Sequence, residues 1–247
     1  DPQGIVACLT ADHYIGNEAH FRSLLTAAAR SAQEGWLVTL GITPTFPSTG
    51  FGYIQRGESL GRRGDFEVFR AVRFKEKPAP PEAEAMVADG EHSWNSGMFV
   101  WRADRILDEF ARQMPDFHKQ LQRVDAQPSA LADTWQTAPT ATIDYGIMEG
   151  ADEVAVIPAG GLGWSDIGSW ESLLDVLEPN AAGNVVIGGE HLPIETKGAL
   201  IHSSGAKHRL VATIGVENLV IVETDDVLLV CPRGRAQEVR ALVEELK

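Results

Sequence analysis

The pattern of the chain changes near residue 180, and this change constrains its fold more than any other feature. Before it, strand-like and helix-like segments alternate, which is typical of an α/β architecture. From Gly183 onward, short β-branched runs recur at intervals of roughly ten residues with turn residues between them. The sequence therefore predicts an α/β domain over residues 1–179 and a small β module with a terminal helix over residues 180–247.

Hydrophobic periodicity places the elements of both domains. In the first domain the predicted strands are 4–9, 36–42, 66–74 and 98–101, and the predicted helices are 20–34, 80–89, 103–114, 117–124 and 169–177. In the second domain the predicted strands are 185–187, 199–201, 210–213, 219–222 and 227–230, followed by a helix over 235–246. The β module shows no strict hexapeptide repeat.

Composition excludes several classes of protein. Of the 247 residues, 44% are hydrophobic and 23% are charged, as in ordinary globular proteins. No apolar run approaches the roughly 20 residues that cross a bilayer, and the first residues show no secretory signal. We therefore expect a cytoplasmic protein with no membrane partner. Cys8 and Cys231 lie in separate strand-like runs, and we expect both to be buried and reduced.

The formal net charge is −14, from 35 acidic and 21 basic residues. This balance argues against nucleic acid as a partner, because duplex binding needs a basic surface. It also means that a phosphorylated substrate would need local cations, either a divalent metal ion or a few lysines.

Residues 94–101, with the sequence Trp-Asn-Ser-Gly-Met-Phe-Val-Trp, form the most informative segment. A polar triplet opens an apolar strand, which indicates a side chain directed at a ligand, with the backbone kept clear by Gly97. The alternative is a turn followed by a buried strand.

Four further segments follow apolar runs, where the active sites of open α/β sheets gather. Asp12 ends the first strand, and its alternative role is a turn or helix N-cap. Residues 48–54 contain two glycines around Phe51, which indicates a close approach of the backbone to a ligand. The alternative is a plain surface turn. Residues 75–78 place three charges at a strand end, which is a candidate binding position. The alternative is a solvated charged run. Residues 164–170 set Asp166 between two tryptophans as a candidate site residue. The alternative is that Ser165 or Asp166 caps the next helix.

In this order, the segments resemble the mannose-1-phosphate guanylyltransferases, also called GDP-mannose pyrophosphorylases, of the sugar-nucleotidyltransferase superfamily. The resemblance spans nearly the whole chain. It is carried by Ala11-Asp12-His13, Gly41-Ile42-Thr43-Pro44-Thr45, Gly50-Phe51-Gly52-Tyr53-Ile54, Phe74-Lys75-Glu76-Lys77-Pro78, Trp94-Asn95-Ser96-Gly97-Met98-Phe99, Ile143-Asp144-Tyr145, Asp166-Ile167-Gly168-Ser169-Trp170 and the tail Val222-Glu223-Thr224-Asp225-Asp226.

The resemblance implies a Rossmann-like nucleotidyltransferase domain with a mixed sheet, and a β-helix-like C-terminal module. It implies that mannose 1-phosphate and GTP give GDP-mannose and pyrophosphate. By the same resemblance, Asp12 and Asp166 hold Mg²⁺, and Lys77 contacts the sugar phosphate as a further catalytic residue. Glu76, Asn95 and the backbone amide of Gly52 then bind the sugar.

The remaining implied roles are minor. Asp144 would be structural, as a cap for the turn 145–149, and His13 would be a packing residue. The C-terminal domain would form a homodimer.

Two features depart from the family pattern. Thr10 stands where the family usually has proline. The Gly-rich loop with a Thr-Arg pair, which the family places about a hundred residues before the Ala-Asp-His motif to hold the nucleotide, is absent from these 247 residues. We therefore expect an incomplete nucleotidyltransferase domain, a piece of a longer protein, with little activity by itself. The alternative is a naturally shortened paralogue.

Two other functions stay open at this point. One is a nucleotidyltransferase for another sugar 1-phosphate, since the sequence does not reveal stereochemistry at C2. The other is a non-catalytic regulatory protein that binds a sugar nucleotide. Retention of both Asp12 and Asp166 argues against the latter, because a binding protein does not need a metal-holding pair.

Overall fold

A computed structural model describes residues 1–205 and 209–246 of the chain. The described residues form two compact units. The first contains Asp1–Ala11 and Asn17–Gly163, and the second contains Asp12–Gly16 and the chain from Trp164 onward. The predicted division at residues 179 and 180 stays a prediction, because the segment 12–16 crosses between the units.

The first unit is an α/β structure. Its strands are β1 (Ile5–Cys8), β3 (Leu37–Ile42), β4 (Tyr53–Arg63), β5 (Phe66–Lys75), β6 (His92–Arg102) and β7 (Val154–Pro158). Strand β2 (Tyr14–Ile15) belongs to the second unit. Its helices are α1 (Glu18–Gln33), α2 (Pro80–Ala88), α3 (Ala103–Gln113), α4 (Pro115–Ala126), α5 (Leu131–Thr137) and α6 (Ile143–Gly146), with short 3-10 turns at Pro128–Ala130 and Met148–Gly150.

The strands of this unit form one six-stranded sheet in the order β1-β6-β3-β7-β5-β4. Strands β3 and β7 are parallel, and the other neighbours are antiparallel, so the predicted mixed sheet is confirmed. All six residues of β3 are buried, as expected of a central strand. The start of β4 also pairs with β6, which brings the ends of β4, β5 and β6 together.

Helix α1 covers this sheet because its small and apolar residues repeat with the helical period. Leu24, Ala28 and Ala32 are completely buried, and the helix packs against β3 and β6. The side chain of Asn17 caps its first turn by accepting a hydrogen bond from the His20 amide at 3.0 Å.

Strand β1 corrects one prediction. We expected a buried strand and a buried Cys8, but β1 lies at the edge of the sheet and pairs only with β6. Both Cys8 and Val6 are exposed. Cys231 is half-buried and not fully buried as expected, and both cysteines are free thiols.

Strand β4 was not predicted. Its sequence contains Gly57 and Gly61 and lacks a clear alternation of apolar and polar residues. Its pairing with β5 shifts register three times, so the strand depends on its partner more than on its own β-propensity. Strand β7 was also missed, since five residues give too short a pattern.

The second unit contains a β module and a short two-stranded ribbon. The ribbon pairs β2 (Tyr14–Ile15) with β8 (Trp164–Ser165). The other elements are helix α7 (Trp170–Val176), strands β9 (Val185–Ile187), β10 (Glu190–Ile194), β11 (Leu200–Ser203), β12 (Leu210–Ile214), β13 (Leu219–Glu223) and β14 (Leu228–Pro232), a 3-10 turn at Arg233–Glu238 and helix α8 (Val239–Glu245).

Successive strands of the module alternate between two faces. Strands β9, β11 and β13 are parallel neighbours in one sheet, with β14 antiparallel at its edge, and β10 and β12 pair in parallel in another. A chain that returns to the same sheet in this way forms a coil, so the predicted β-helix-like module and its terminal helix are confirmed. Strand β10 was missed because it contains Pro193.

Among residues 1–205 and 209–246, none of the helices combines the length and the apolar character that are required to span a bilayer.

Candidate functional site

Four of the predicted site residues lie together in the first unit, and we call Gly52, Glu76, Lys77 and Asn95 the sugar-phosphate cluster. Tyr53 of β4 is opposite both the last residue of β5 and Trp94 of β6. The next residue outward on each chain is therefore a cluster residue. Local strand pairing thus assembles this group from three distant parts of the sequence.

Gly52 occupies a position without room for a side chain. A Cβ atom there would lie 2.3 Å from Oε2 of Glu76 and 3.4 Å from Cβ of Asn95. Its carbonyl oxygen accepts a hydrogen bond from the Asn95 amide at 2.8 Å. Glycine is therefore needed here so that two candidate ligand-binding side chains can approach the backbone.

Glu76 and Lys77 form an ion pair with an Nζ–Oε1 distance of 3.3 Å, but their exposure differs. The side chain of Glu76 is 19% exposed and that of Lys77 is 63% exposed. A solvated charged run, the alternative for residues 75–78, does not explain a glutamate folded inward against Gly52. Lys75 instead pairs with Glu82 at 3.5 Å.

The backbone of Lys77 is strained. Its φ angle is +46°, in the left-handed region that side chains with a Cβ rarely adopt. Its amide donates to the carbonyl oxygen of Phe51 at 3.2 Å, which holds the turn against the loop before β4. Strain of this kind costs about 1–3 kcal/mol and often marks a functional position.

Asn95 lies within β6 and not in a turn, so the turn-and-strand alternative for residues 94–101 is wrong. In the pairing with β3, Gly41 is opposite Asn95 and Thr39 is opposite Phe99, so three residues of β6 bulge against one of β3. Gly97 has a φ of +67° in this bulge. Bulges redirect side chains near binding sites.

Asp144 was predicted to be structural, as a cap for the turn 145–149, and the cap is wrong. The N-cap of α6 is Thr142, and no side chain caps this helix. One carboxylate oxygen of Asp144 instead accepts a hydrogen bond from Nδ2 of Asn95 at 2.6 Å. Apart from the family motif at residues 143–145, nothing in the sequence pointed to this contact, since 49 residues separate the two partners.

Glu149 adds a third carboxylate near the cluster. Its pKa is raised above the ordinary value of 4.5, first by partial burial and then by the negative charges of Glu76 and Asp144. Lys75 opposes this shift. Carboxylates that share a site are good acceptors for hydroxyl groups, and the ammonium group of Lys77 suits an anion.

We expect Gly52→Ala to weaken sugar-phosphate binding with little effect on stability. The new methyl group would displace the Glu76 carboxylate, which lies at the end of a flexible side chain and can move away. Loss of one or two hydrogen bonds corresponds to about a tenfold rise in the dissociation constant for mannose 1-phosphate. Isothermal titration calorimetry measures it.

The matched control for this substitution is Gly50→Ala in the same loop. A Cβ at Gly50 would meet only Ser48 Oγ at 3.6 Å, an ordinary contact. Equal loss of affinity in both variants would contradict a specific role for the space at Gly52.

The other two predicted site residues, Asp12 and Asp166, lie in the second unit, and we call them the aspartate pair. In the β2–β8 ribbon, Tyr14 is opposite Ser165. Continuing the register by one residue places His13 beside Asp166, with Asp12 next along the chain. The ribbon therefore brings the two aspartates to one end, although they are 154 positions apart in sequence.

The charges of both aspartates act on the side chain of His13, which agrees with their lying close together. Burial lowers its pKa below 6.5, and the charges of Asp12 and Asp166 oppose that shift. The indole Nε1–H of Trp164 donates to Nδ1 of His13 at 3.1 Å, and the rings meet edge to face. Because an indole N–H can only donate, Nδ1 carries no proton in this arrangement. His13 therefore packs against Trp164, which agrees with the predicted packing role. That role stays a prediction.

Neither aspartate acts as a helix cap. Asn17 caps α1, and the side chain of Ser169 caps α7 in a reciprocal capping box with Ser172. Asp166 instead lies in a turn where Ile167 has a φ of +48°. A β-branched residue is a genuine outlier in this region, so the turn is held by its surroundings.

The aspartate pair fits Mg²⁺ through the chemistry of its donors. Mg²⁺ is commonly bound by one or two carboxylates, with substrate phosphates and water as the other ligands. Within the described residues, no group of three or more His, Cys, Asp or Glu side chains is arranged to hold a metal ion. A two-carboxylate site that is completed by phosphate agrees with both observations.

The structure thus brings the predicted residues together in two groups, one in each compact unit. Comparison with known proteins then identifies the family. A family model described as nucleotidyl transferase matches residues 1–182. The chain belongs to the nucleotidyl transferase family. A second model, described as a MannoseP isomerase/GMP-like beta-helix domain, matches residues 189–246 of this family member.

Relatives within the family carry the name that the motifs predicted. A mannose-1-phosphate guanylyltransferase from Klebsiella pneumoniae is 41% identical over 261 residues, which is all of this chain and 52% of the relative. The xanthan biosynthesis protein XanB from Xanthomonas campestris is 40% identical over 250 residues, 98% of this chain and 51% of the relative. The predicted resemblance is therefore confirmed. The chain spans about half the length of these relatives.

A solved structure shows the same fold. The crystal structure of a mannose-1-phosphate geranyltransferase from Thermus thermophilus is 36% identical, with a TM-score of 0.85. The match covers 98% of this chain and 69% of that one.

Proposed function

We propose that the chain carries the sugar-phosphate side of a mannose-1-phosphate guanylyltransferase. The single observation that carries this proposal is the convergence of Gly52, Glu76, Lys77 and Asn95 in one cluster, in a chain whose relatives bear that name. In the reaction, a phosphate oxygen of mannose 1-phosphate attacks the α-phosphorus of GTP. The bond to the β-phosphate oxygen breaks, and pyrophosphate leaves.

The reaction needs little from a general base. The second pKa of a phosphate monoester is about 6, so the attacking oxygen is already ionised at neutral pH. Catalysis then rests on positioning and on neutralisation of charge. The exposed ammonium group of Lys77 would contact the sugar phosphate, and the inward carboxylate of Glu76 would accept hydrogen bonds from sugar hydroxyls.

Asn95 and the backbone amide of Gly52 would complete the sugar contacts. Both lie at the joined ends of β4 and β6, so strand pairing fixes their separation. Groups that are fixed in this way lose little conformational freedom on binding, which favours affinity.

The aspartate pair would hold Mg²⁺. When bound, this ion would reduce the repulsion between the two anionic substrates and offset charge in the transition state. With a net charge of −14, the chain needs such local positive charge for any phosphorylated substrate. Asp12 and Asp166 are suitable because hard carboxylate oxygens are ligands that Mg²⁺ prefers.

Two further parts of the proposal stay predictions from the sequence. These are a homodimer through the C-terminal domain and a location in the cytoplasm. That the 247-residue chain has little activity by itself also stays a prediction.

The test is pyrophosphate release from GTP and mannose 1-phosphate. It is measured for the 247-residue chain and, in parallel, for the protein as its gene encodes it. Release by the gene-encoded protein is the expected result. Release only with another hexose 1-phosphate would favour a different sugar nucleotidyltransferase, and no release with any would favour a regulatory protein.

A further inference from the structure

The side chain of Asn95 is held in one orientation by Asp144. A carboxylate only accepts hydrogen bonds, so the group of Asn95 that faces it at 2.6 Å is the NH₂ group and not the carbonyl oxygen. An amide without such a partner can turn over, because its two ends are nearly equal in shape. Asp144 removes that ambiguity.

The remaining hydrogen-bonding capacity of Asn95 then follows by counting. Its Oδ1 accepts from the backbone amide of Gly97 at 3.2 Å. The hydroxyl of Thr39 lies 3.5 Å from the same oxygen, but its one proton has a nearer acceptor in the carbonyl oxygen of Met98 at 3.2 Å. One of the two N–H groups is used by Asp144. The other N–H is left for a ligand.

We infer that Asp144 is a positioning residue that fixes the amide orientation of Asn95 and so keeps one N–H group available for a ligand oxygen that accepts a hydrogen bond. The inference rests on the proposed function and deepens it by naming the kind of group that is recognised. Ring hydroxyls of a hexose phosphate belong to this class.

Glu76 sets the complementary requirement. Its carboxylate and the Cβ atom of Asn95 both border the space that a side chain at Gly52 would fill, and the carboxylate can only accept. A hydroxyl group can accept from Asn95 and donate to Glu76 at the same time. An ether or carbonyl oxygen can satisfy only the first of these, and an ammonium group only the second, so the pair favours a polyhydroxylated ring.

The first test is Asp144→Asn in the full 247-residue chain. This substitution preserves shape but lets the amide of Asn95 turn over. We expect the dissociation constant for mannose 1-phosphate to rise about fivefold. For inorganic phosphate, which lacks hydroxyl groups on a ring, we expect an unchanged or lower dissociation constant, because one negative charge has been removed.

The opposite signs for the two ligands separate positioning from electrostatics. If Asp144 acted only through its charge, both ligands would bind more tightly in the variant. Unchanged or tighter binding of mannose 1-phosphate would therefore overturn the inference. Asp152→Asn, an exposed carboxylate in the same unit, is the matched control and should leave both constants unchanged.

The second test exchanges the two side chains in a double variant, Asn95→Asp with Asp144→Asn. All the local hydrogen bonds can form again, because the carboxamide now at position 144 donates to the carboxylate now at position 95. The free donor towards the ligand is lost. We expect a melting temperature close to that of the unmodified chain and continued weak binding of mannose 1-phosphate.

Recovery of full affinity in the exchange variant would show a merely structural role for Asp144. It would overturn the inference and leave the proposed function standing. Absence of saturable mannose 1-phosphate binding by the unmodified chain would overturn the proposed function, and the inference with it. The two failures are therefore distinguishable in one set of titrations.

Discussion

Replacement of either member of the aspartate pair is expected to weaken Mn²⁺ binding about a hundredfold or more in the 247-residue chain, because half of the anionic ligand charge is lost at short range. Asp12→Asn and Asp166→Asn keep the shape of each side chain and remove only its charge. Mn²⁺ serves as a paramagnetic substitute for Mg²⁺ because both prefer carboxylate oxygens. Electron paramagnetic resonance titration measures the free ion.

The control for this experiment is Glu178→Gln, which removes an exposed carboxylate of the same unit outside the ribbon. It should leave Mn²⁺ affinity unchanged. If Asp12→Asn and Asp166→Asn bound Mn²⁺ as tightly as this control, the metal would lie elsewhere. Unequal effects, with only one of the two aspartates important, would contradict a shared site.

Lys77→Gly is expected to separate stability from function. Glycine relieves the left-handed backbone at this position, which costs a side-chain-bearing residue about 1–2 kcal/mol, although its greater freedom in the unfolded chain offsets part of the gain. The lost ion pair with Glu76 is largely exposed on the lysine side and contributes little. We therefore expect the free energy of unfolding to stay equal or to rise by up to about 1 kcal/mol.

The same substitution removes the ammonium group. A charge-assisted hydrogen bond to phosphate contributes about 1.5–3 kcal/mol, so the dissociation constant for mannose 1-phosphate should rise about 10- to 100-fold. Urea denaturation and titration calorimetry on the same samples measure both effects.

Glu195→Gly is the matched control, since Glu195 is exposed and has a φ of +51° outside the sugar-phosphate cluster. It should be at least as stable as the unmodified chain and bind mannose 1-phosphate unchanged. If Lys77→Gly destabilised the chain by several kcal/mol, the strained turn would have a structural role, and the loss of binding would not be specific.

Much of the site could be predicted because its motifs stand where β4 begins to pair with β5 and β6. Gly52, Glu76 and Asn95 each lie one residue beyond these pairs, although Asn95 itself stays within β6 opposite Gly41, so the sequence-based expectation that they meet agrees with the sheet. The contact of Asn95 with Asp144 is of another kind. It depends on where the short helix α6 comes to lie, and no local pattern in the chain encodes that.

The missed elements share a physical cause. Strand β4 carries glycines and charges, β10 contains a proline, and both are stabilised by their partners and not by a pattern of their own. The strain at Lys77 and Ile167 also could not be read from the sequence, because neither residue type favours a positive φ. Positions where local preference fails in this way are often functional.

The most direct test of the account is titration of the 247-residue chain with mannose 1-phosphate, with inorganic phosphate as the reference ligand. The account predicts saturable binding of one molecule per chain, tighter than that of inorganic phosphate because sugar hydroxyls contact Glu76 and Asn95. The tighter binding should disappear in Glu76→Gln combined with Asn95→Ala. Equal affinity for the two ligands, or no saturable binding of mannose 1-phosphate, would contradict the account.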